Sequence, residues 1–154
     1  MDRTLTTMES PTQSRPLSAL TPTIHIPLTM VSWMEIANSP NVGICLCCGT
    51  WLEGGRQLTG KDPEEMIRYF GAQKIWKIHF RNVSAPLPHF VETFMDNGYY
   101  DMNKVMKALR DVNFDGIVIL DHTPTLAGGA NAQTAYGFAY MKALLNRANA
   151  EAKG

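Results

Sequence analysis

Ile75-Trp76-Lys77-Ile78-His79-Phe80-Arg81-Asn82 sorts its side chains into two kinds by plain alternation. Read as a β-strand, it turns Trp76, Ile78 and Phe80 to one face and Lys77, His79 and Arg81 to the other. Apolar strand candidates lie on either side of it in sequence, Val42 to Cys48 and Ile117 to Leu120. Each finishes in a residue able to bind a metal, Cys47 in the first and Asp121 directly after the second. The intervals from Cys47 to His79 and from His79 to Asp121 each match about one strand-helix-strand unit. A thiol, an imidazole and a carboxylate thus fall at equivalent places on successive strands.

The intervening segments read mostly as helices. Asp62-Pro63-Glu64-Glu65 opens one, with Asp62 as cap, Pro63 in the first turn, Glu65 at the capping-box position and Gly71 as its stop. Asp101 caps another, in which Met102, Val105, Met106 and Leu109 share a face. A short helix is expected over Thr29 to Ala37 and a last one over about Ala132 to Ala148. Trp51 to Arg56, with its paired glycines, reads as a loop, Phe90 to Met95 as a helical turn, and Asn97-Gly98 as a breaker. Gly43, Cys45 and Cys47 share one face of the first strand, which suits a crowded barrel interior or a closely approached metal. Ile117 to Leu120, apolar throughout, reads as a strand covered on both faces. The fold class is therefore α/β, with about three parallel strands and covering helices. A full barrel of eight units needs about 250 residues, and this chain has 154. Either the sheet is open or this is the carboxyl-terminal part of a barrel.

With 45% hydrophobic residues the chain can bury one core, so a single domain over 24–150 is expected. Residues 1–23 are rich in Ser, Thr and Pro without helical or strand period, and read as a disordered segment. His25 lacks a partner at metal spacing and reads as a loop histidine. Lys plus Arg equal Asp plus Glu at 14 each, with no long basic run, which argues against a nucleic-acid partner. Cys45, Cys47 and Cys48 are too close and too odd in number for a disulfide framework and point to a reducing, cytoplasmic setting. No apolar run approaches the roughly 20 residues that cross a bilayer, so no membrane partner is expected.

Cys47, His79 and Asp121 together form a mixed donor set suited to a divalent ion such as Mn²⁺, Fe²⁺ or Zn²⁺. Singly, Cys47 also reads as a small core residue and His79 as a hydrogen-bonded interior histidine. Asp121 has the weakest such alternative, because a carboxylate directly after an apolar strand is costly unless paired or metal-bound. Arg81 shares the face of His79 and offers a fork of donors to a substrate carboxylate, or to an ion pair. His122 can serve as general acid or base near neutral pH.

Five segments, Ser39-Pro40-Asn41-Val42-Gly43, Leu46-Cys47-Cys48-Gly49-Thr50, Ile78-His79-Phe80-Arg81-Asn82, Asn97-Gly98-Tyr99-Tyr100-Asp101-Met102 and Asp121-His122, carry a family resemblance. In this order they resemble the carboxyl-terminal half of the mannonate dehydratase family, over about Ser32 to Ala148. The resemblance implies part of a TIM barrel of the xylose-isomerase-like kind and a truncated homologue. It implies dehydration of a small sugar acid, D-mannonate, to 2-keto-3-deoxy-D-gluconate with Mn²⁺ or Fe²⁺, in hexuronate breakdown. It also implies Cys47, His79 and Asp121 as metal ligands, Arg81 as a substrate-carboxylate contact and His122 as acid/base. The family's further histidine, in a His-Pro-Asp-Asp-Pro stretch, has no counterpart here. Its Gly-Tyr-Ser segment is replaced by Ala132-Gln133-Thr134, with Tyr136 and Tyr140 the nearest tyrosines. The rival readings are a sugar isomerase or epimerase on the same kind of barrel, and a non-catalytic piece that associates through uncovered strand edges, as in a homo-oligomer.

Overall fold

The computed structural model describes residues 34–153. The segment 1–23, His25 and most of the helix expected from Thr29 lie outside the described residues, while 34–37, the end of that helix, is helical. The elements that follow are β1 (Ile44–Cys47), α1 (Cys48–Thr59), α2 (Pro63–Phe70), β2 (Ile75–Phe80), β3 (Asn82–Val83), β4 (Glu92–Thr93), α3 (Met102–Asp111), β5 (Ile117–Leu120) and α4 (Gly129–Glu151). β1, β2 and β5 form a parallel sheet with β2 in the middle, and β3 and β4 form a small antiparallel pair.

One face of the parallel sheet carries the core. Ile44, Leu46, Ile78 and Phe80 are buried there with Trp51 and Leu52 of α1, Met66 and Ile67 of α2, Val105, Met106 and Leu109 of α3, and Met141 and Leu144 of α4. The helices start where local chemistry dictates. Glu65 accepts from the Asp62 backbone amide at 2.8 Å, with Pro63 in the first turn of α2 and Gly71 ending it. Asp101 accepts from the Asn103 amide at 2.9 Å and starts α3.

Four expectations need correction. The glycine-rich stretch after Trp51 is helix, because Trp51 and Leu52 are held in the core and the helical path breaks only at Gly55 (φ 61°, ψ 166°). The stretch from Phe90 to Met95 contains β4, whose two residues pair with Asn82 and Val83. Trp76 does not share the buried face. A register shift places Ile44 opposite Ile75 but Cys45 opposite Lys77, so Ile75 goes inward and the Trp76 indole lies out over Gly43, 50% exposed. β5 is not covered on both faces: it is an edge strand with Ile117 63% exposed and the rest half-buried. Among the described residues, no helix is long and apolar enough to cross a membrane.

Asn82 ties β2 to the segment before α3. Its buried amide donates to the carbonyls of Met95 (3.0 Å) and Tyr100 (2.8 Å), and its oxygen accepts from the Val83 amide (3.0 Å). The Gly98 of the expected breaker serves this contact, since a Cβ there would stand 2.1 Å from the Asn82 side chain. Asn82→Asp keeps the shape but turns an acceptor onto two carbonyls. Unfolding free energy from chemical denaturation is expected to fall by at least about 2 kcal/mol; an unchanged midpoint would contradict this account.

Candidate metal centre

The register of the sheet builds the site. Cys47 pairs with His79, and His79 pairs with Ile119, two residues before Asp121. Cys47, His79, Arg81 and Asp121 therefore share parity on the face away from the helices, at the carboxyl-terminal rim, which is where parallel α/β folds place their sites. Cys47, His79 and Asp121 are each partly buried and bring one donor atom apiece to within 4.8 Å of one another. Their common point is Asp121 Oδ2, 3.3 Å from His79 Nδ1 and 3.9 Å from Cys47 Sγ. A tetrahedral ion with bonds of about 2.0–2.3 Å separates its donors by about 3.3–3.8 Å. The three groups fit such an ion without large movement, and among the described residues the buried His79 Nε2 has no hydrogen-bond partner.

Cys47 holds a second position as the cap of α1, its sulfur 3.4 Å from the Thr50 amide. The same helix start makes room for Arg81. A Cβ on Gly49 would lie 2.2 Å from Arg81 Nε, so the guanidinium passes directly over this glycine. The Arg81 side chain is only 5% exposed. Its Nη1 donates to both carboxylate oxygens of Glu92 (2.7 and 2.8 Å), its Nη2 donates to Glu53, and its Nε lies 3.4 Å from Asp121 Oδ2. Burial lowers the Arg81 pKa, but the Glu53 carboxylate and the nearby Cys47 sulfur outweigh it and leave the pKa above the usual guanidinium value.

The fork expected to face a substrate carboxylate is thus engaged by two protein carboxylates. Sequence reasoning missed both, Glu53 because its helix reads as loop and Glu92 because β4 has no period. The one signal was Arg81 itself, since a buried guanidinium needs carboxylate partners. Three carboxylates, Glu53, Glu92 and Asp121, surround this one cation, and the excess negative charge favours a bound cation.

His122 stands at the edge of the cluster, its side chain 60% exposed. Nδ1 is 3.3 Å from Glu92 Oε1 and Nε2 is 3.5 Å from Asp121 Oδ1. Its φ of +44° is a left-handed conformation that few non-glycine residues adopt. Of the two tyrosines, Tyr136 donates to Asp96 and its ring packs edge-on against Phe94. Tyr140 is packed against the core.

Fold and rim together define an incomplete parallel α/β barrel with a metal-capable mouth, and comparison with known proteins places it. The family model for D-mannonate dehydratase matches residues 16–150. Mannonate dehydratase of Thermotoga neapolitana is 36% identical over 121 residues, covering 72% of this chain and 30% of the relative. The crystal structure of mannonate dehydratase from Streptococcus suis serotype 2 superposes with a TM-score of 0.65 at 26% identity, over 77% of this chain and 36% of that one. An L-ribulose 3-epimerase structure superposes with a TM-score of 0.58 at 16% identity, over 86% of this chain and 46% of that one, and shows the fold alone. The chain belongs to the mannonate dehydratase family, and its fold is part of a TIM barrel of the xylose-isomerase-like kind. It spans about 30% of the length of the curated relatives it matches.

The cysteines differ in a way that alkylation can read. Burial pushes the Cys48 thiol far above its ordinary range, with Cys47 adding to the effect. Partial burial also raises Cys45, against the pull of Lys77. A raised pKa delays the thiolate, the reactive form, to higher pH. Peptide mapping after iodoacetamide should find Cys48 unmodified until the protein unfolds. Cys45 should react slowly at neutral pH and still be accelerating above about pH 8.5, where an ordinary cysteine is half ionised. Early labelling of Cys48, or a Cys45 rate that levels off in the ordinary range, would contradict these environments.

Proposed function

We propose that this chain carries the metal-binding rim of a mannonate dehydratase-like hydro-lyase, converting D-mannonate to 2-keto-3-deoxy-D-gluconate in hexuronate breakdown. On this reading residues 24–150 are the carboxyl-terminal part of the barrel domain, and the enzyme works in the cytoplasm. The observation that carries the reading is the convergence of Cys47, His79 and Asp121 at the rim of a chain of this family.

Cys47, His79 and Asp121 would hold the ion, Mn²⁺ or Fe²⁺ in our reading. When bound there, such an ion polarises substrate oxygens and lowers the cost of the negative charge that develops beside the carboxylate. The remaining steps belong to the side chains. His122 is exposed enough to meet a sugar acid and moves the proton, either from C2 or onto the departing C3 hydroxyl. Arg81 supplies the fixed positive charge of the rim. Its donors already hold Glu53 and Glu92, so a substrate carboxylate meets it only by displacing one of them. Among the described residues no strand pairs with the outer edges of β1 and β5, which leaves room there for contacts with further copies of the chain.

The test is product analysis of the purified chain supplied with Mn²⁺ and D-mannonate. A 2-keto-3-deoxy acid should form, and His79→Ala should slow its formation by at least about 100-fold while lowering bound Mn²⁺. A ketose or epimer in place of the dehydrated acid would instead assign proton transfer without loss of water. Full Mn²⁺ occupancy with no product would end the dehydratase reading.

A further inference from the structure

Arg81 holds two carboxylates, and it does not hold them alike. Glu53 belongs to α1, and its backbone carbonyl accepts from the Leu87 amide at 2.8 Å while its carboxylate accepts from Arg81 Nη2. Its side chain is 21% exposed. Glu92 is the more accessible of the two, 31% exposed, with both oxygens on one nitrogen, Arg81 Nη1, at 2.7 and 2.8 Å. On its outer side stands the exposed His122. The backbone that carries Glu92 is fixed without that contact. Glu92 pairs with Val83, and the loop between β3 and β4 is closed at its base by the Ser84 amide on the Val91 carbonyl and the Val91 amide on Ser84 Oγ, both 3.0 Å. Rotation about its own χ angles is therefore enough to take the Glu92 carboxylate off Nη1.

We propose that Glu92 is a specificity-determining residue: it fills the subsite on Arg81 Nη1 that a substrate carboxylate takes, and it gives way only to another carboxylate. This deepens the proposed function and rests on it for the presence of a sugar acid at the rim. Charge makes the selection. Arg81 is almost wholly buried, and a buried guanidinium deprived of a partner is left uncompensated. Exchange of Glu92 for a substrate carboxylate returns the same charge and the same acceptors to Nη1, so the buried cation stays paired throughout. A hydroxyl or an uncharged carbonyl in that place would leave the guanidinium one negative charge short, and Glu92 would return to it. The contact thus rejects neutral aldoses, ketoses and polyols in favour of aldonates, by leaving an unpaired charge against the wrong ligand. It also separates the dehydratase reading from that of an isomerase or epimerase of neutral sugars on the same kind of barrel.

Lactate tests the exchange without turnover, because it carries a carboxylate and a neighbouring hydroxyl but no C3 hydroxyl to lose. Lactamide is its neutral counterpart. In Glu92→Gln the amide keeps an oxygen for Nη1 but not the charge, so the internal competitor is weakened. Titration of the full chain followed by NMR should show lactate binding about tenfold tighter to this variant than to the wild type, with lactamide changed by less than about twofold. Unchanged or weaker lactate binding in the folded variant overturns the proposal, and so does an equal gain for lactamide. Carbon-13 signals of the side-chain carboxyls in the labelled wild type decide the matter even if the variant fails to fold. Lactate should move the Glu92 signal and leave Glu53 in place, and lactamide should move neither. A stationary Glu92 signal, whether lactate binds or not, overturns the exchange. The two readings fail separately. Exchange of Glu92 without dehydration of D-mannonate removes only the dehydratase function, and dehydration with Glu92 unmoved by lactate removes only the role of Glu92.

Discussion

Everything at the rim depends on the register of β2 between its two neighbours. Cys47 lies opposite His79 and Phe80 opposite Leu120, which by continuation sets Arg81 beside Asp121. Side chains alternate with a period of two, so a slip of one residue would carry His79 into the core and Phe80 out to the rim. Ile78 and Phe80, both fully buried, forbid that slip. The hydrophobic face therefore positions the polar one. Its contribution to stability, of the order of 1.5–3 kcal/mol for each large side chain buried, is also what fixes the distances between the donors.

A buried guanidinium then organises the second level. Taking Arg81 out of water is expensive, and removing one of its partners would leave a charge uncompensated. Its carboxylates come from three separate places, Glu53 on α1, Glu92 on β4 and Asp121 after β5. One cation thereby fastens the helix, the small strand pair and the edge strand to the end of β2. Asp121 belongs to both systems, touching Arg81 and His79 through the same oxygen. Its carboxylate is accordingly oriented from the protein side before any ion arrives, the kind of outer support that ligating carboxylates require.

Much of this was legible in the sequence, and the exceptions have physical causes. The alternation of β2 from Ile78 onward and the placing of Cys47 and Asp121 at the ends of β1 and β5 depend only on parity and chain order, which a sequence states directly. The start signals of α2 and α3 are local hydrogen bonds made by the residues that announce them. α1 was not legible, because Gly54-Gly55 has poor helix propensity and only burial of Trp51 and Leu52 keeps the chain helical up to Gly55. The exposure of Trp76 follows from a bulge, and that of Ile117 from lying at a sheet edge. Both are properties of pairing and carry no local signature. Glu53 and Glu92 were hidden for the same reason, each lying on an element recognised only through its tertiary contacts.

Some local costs lie at the rim, although others, such as the buried Trp51 Nε1 and Asn103 Oδ1, lie under the helices. The helix-covered face is closely packed, with Leu46, Ile78 and Phe80 almost wholly out of solvent. Among the described residues, the opposite rim holds an imidazole nitrogen on His79 and an Arg81 Nε without hydrogen bonds, and a non-glycine residue at φ +44°. Each such feature costs about 1–3 kcal/mol, and nothing in the packing of the core recovers it. A sequence shaped for stability alone would replace them with apolar groups of similar volume, as buried charged clusters tolerate elsewhere. Those at the rim stand beside Asp121, where a bound ligand would offset costs that folding leaves standing.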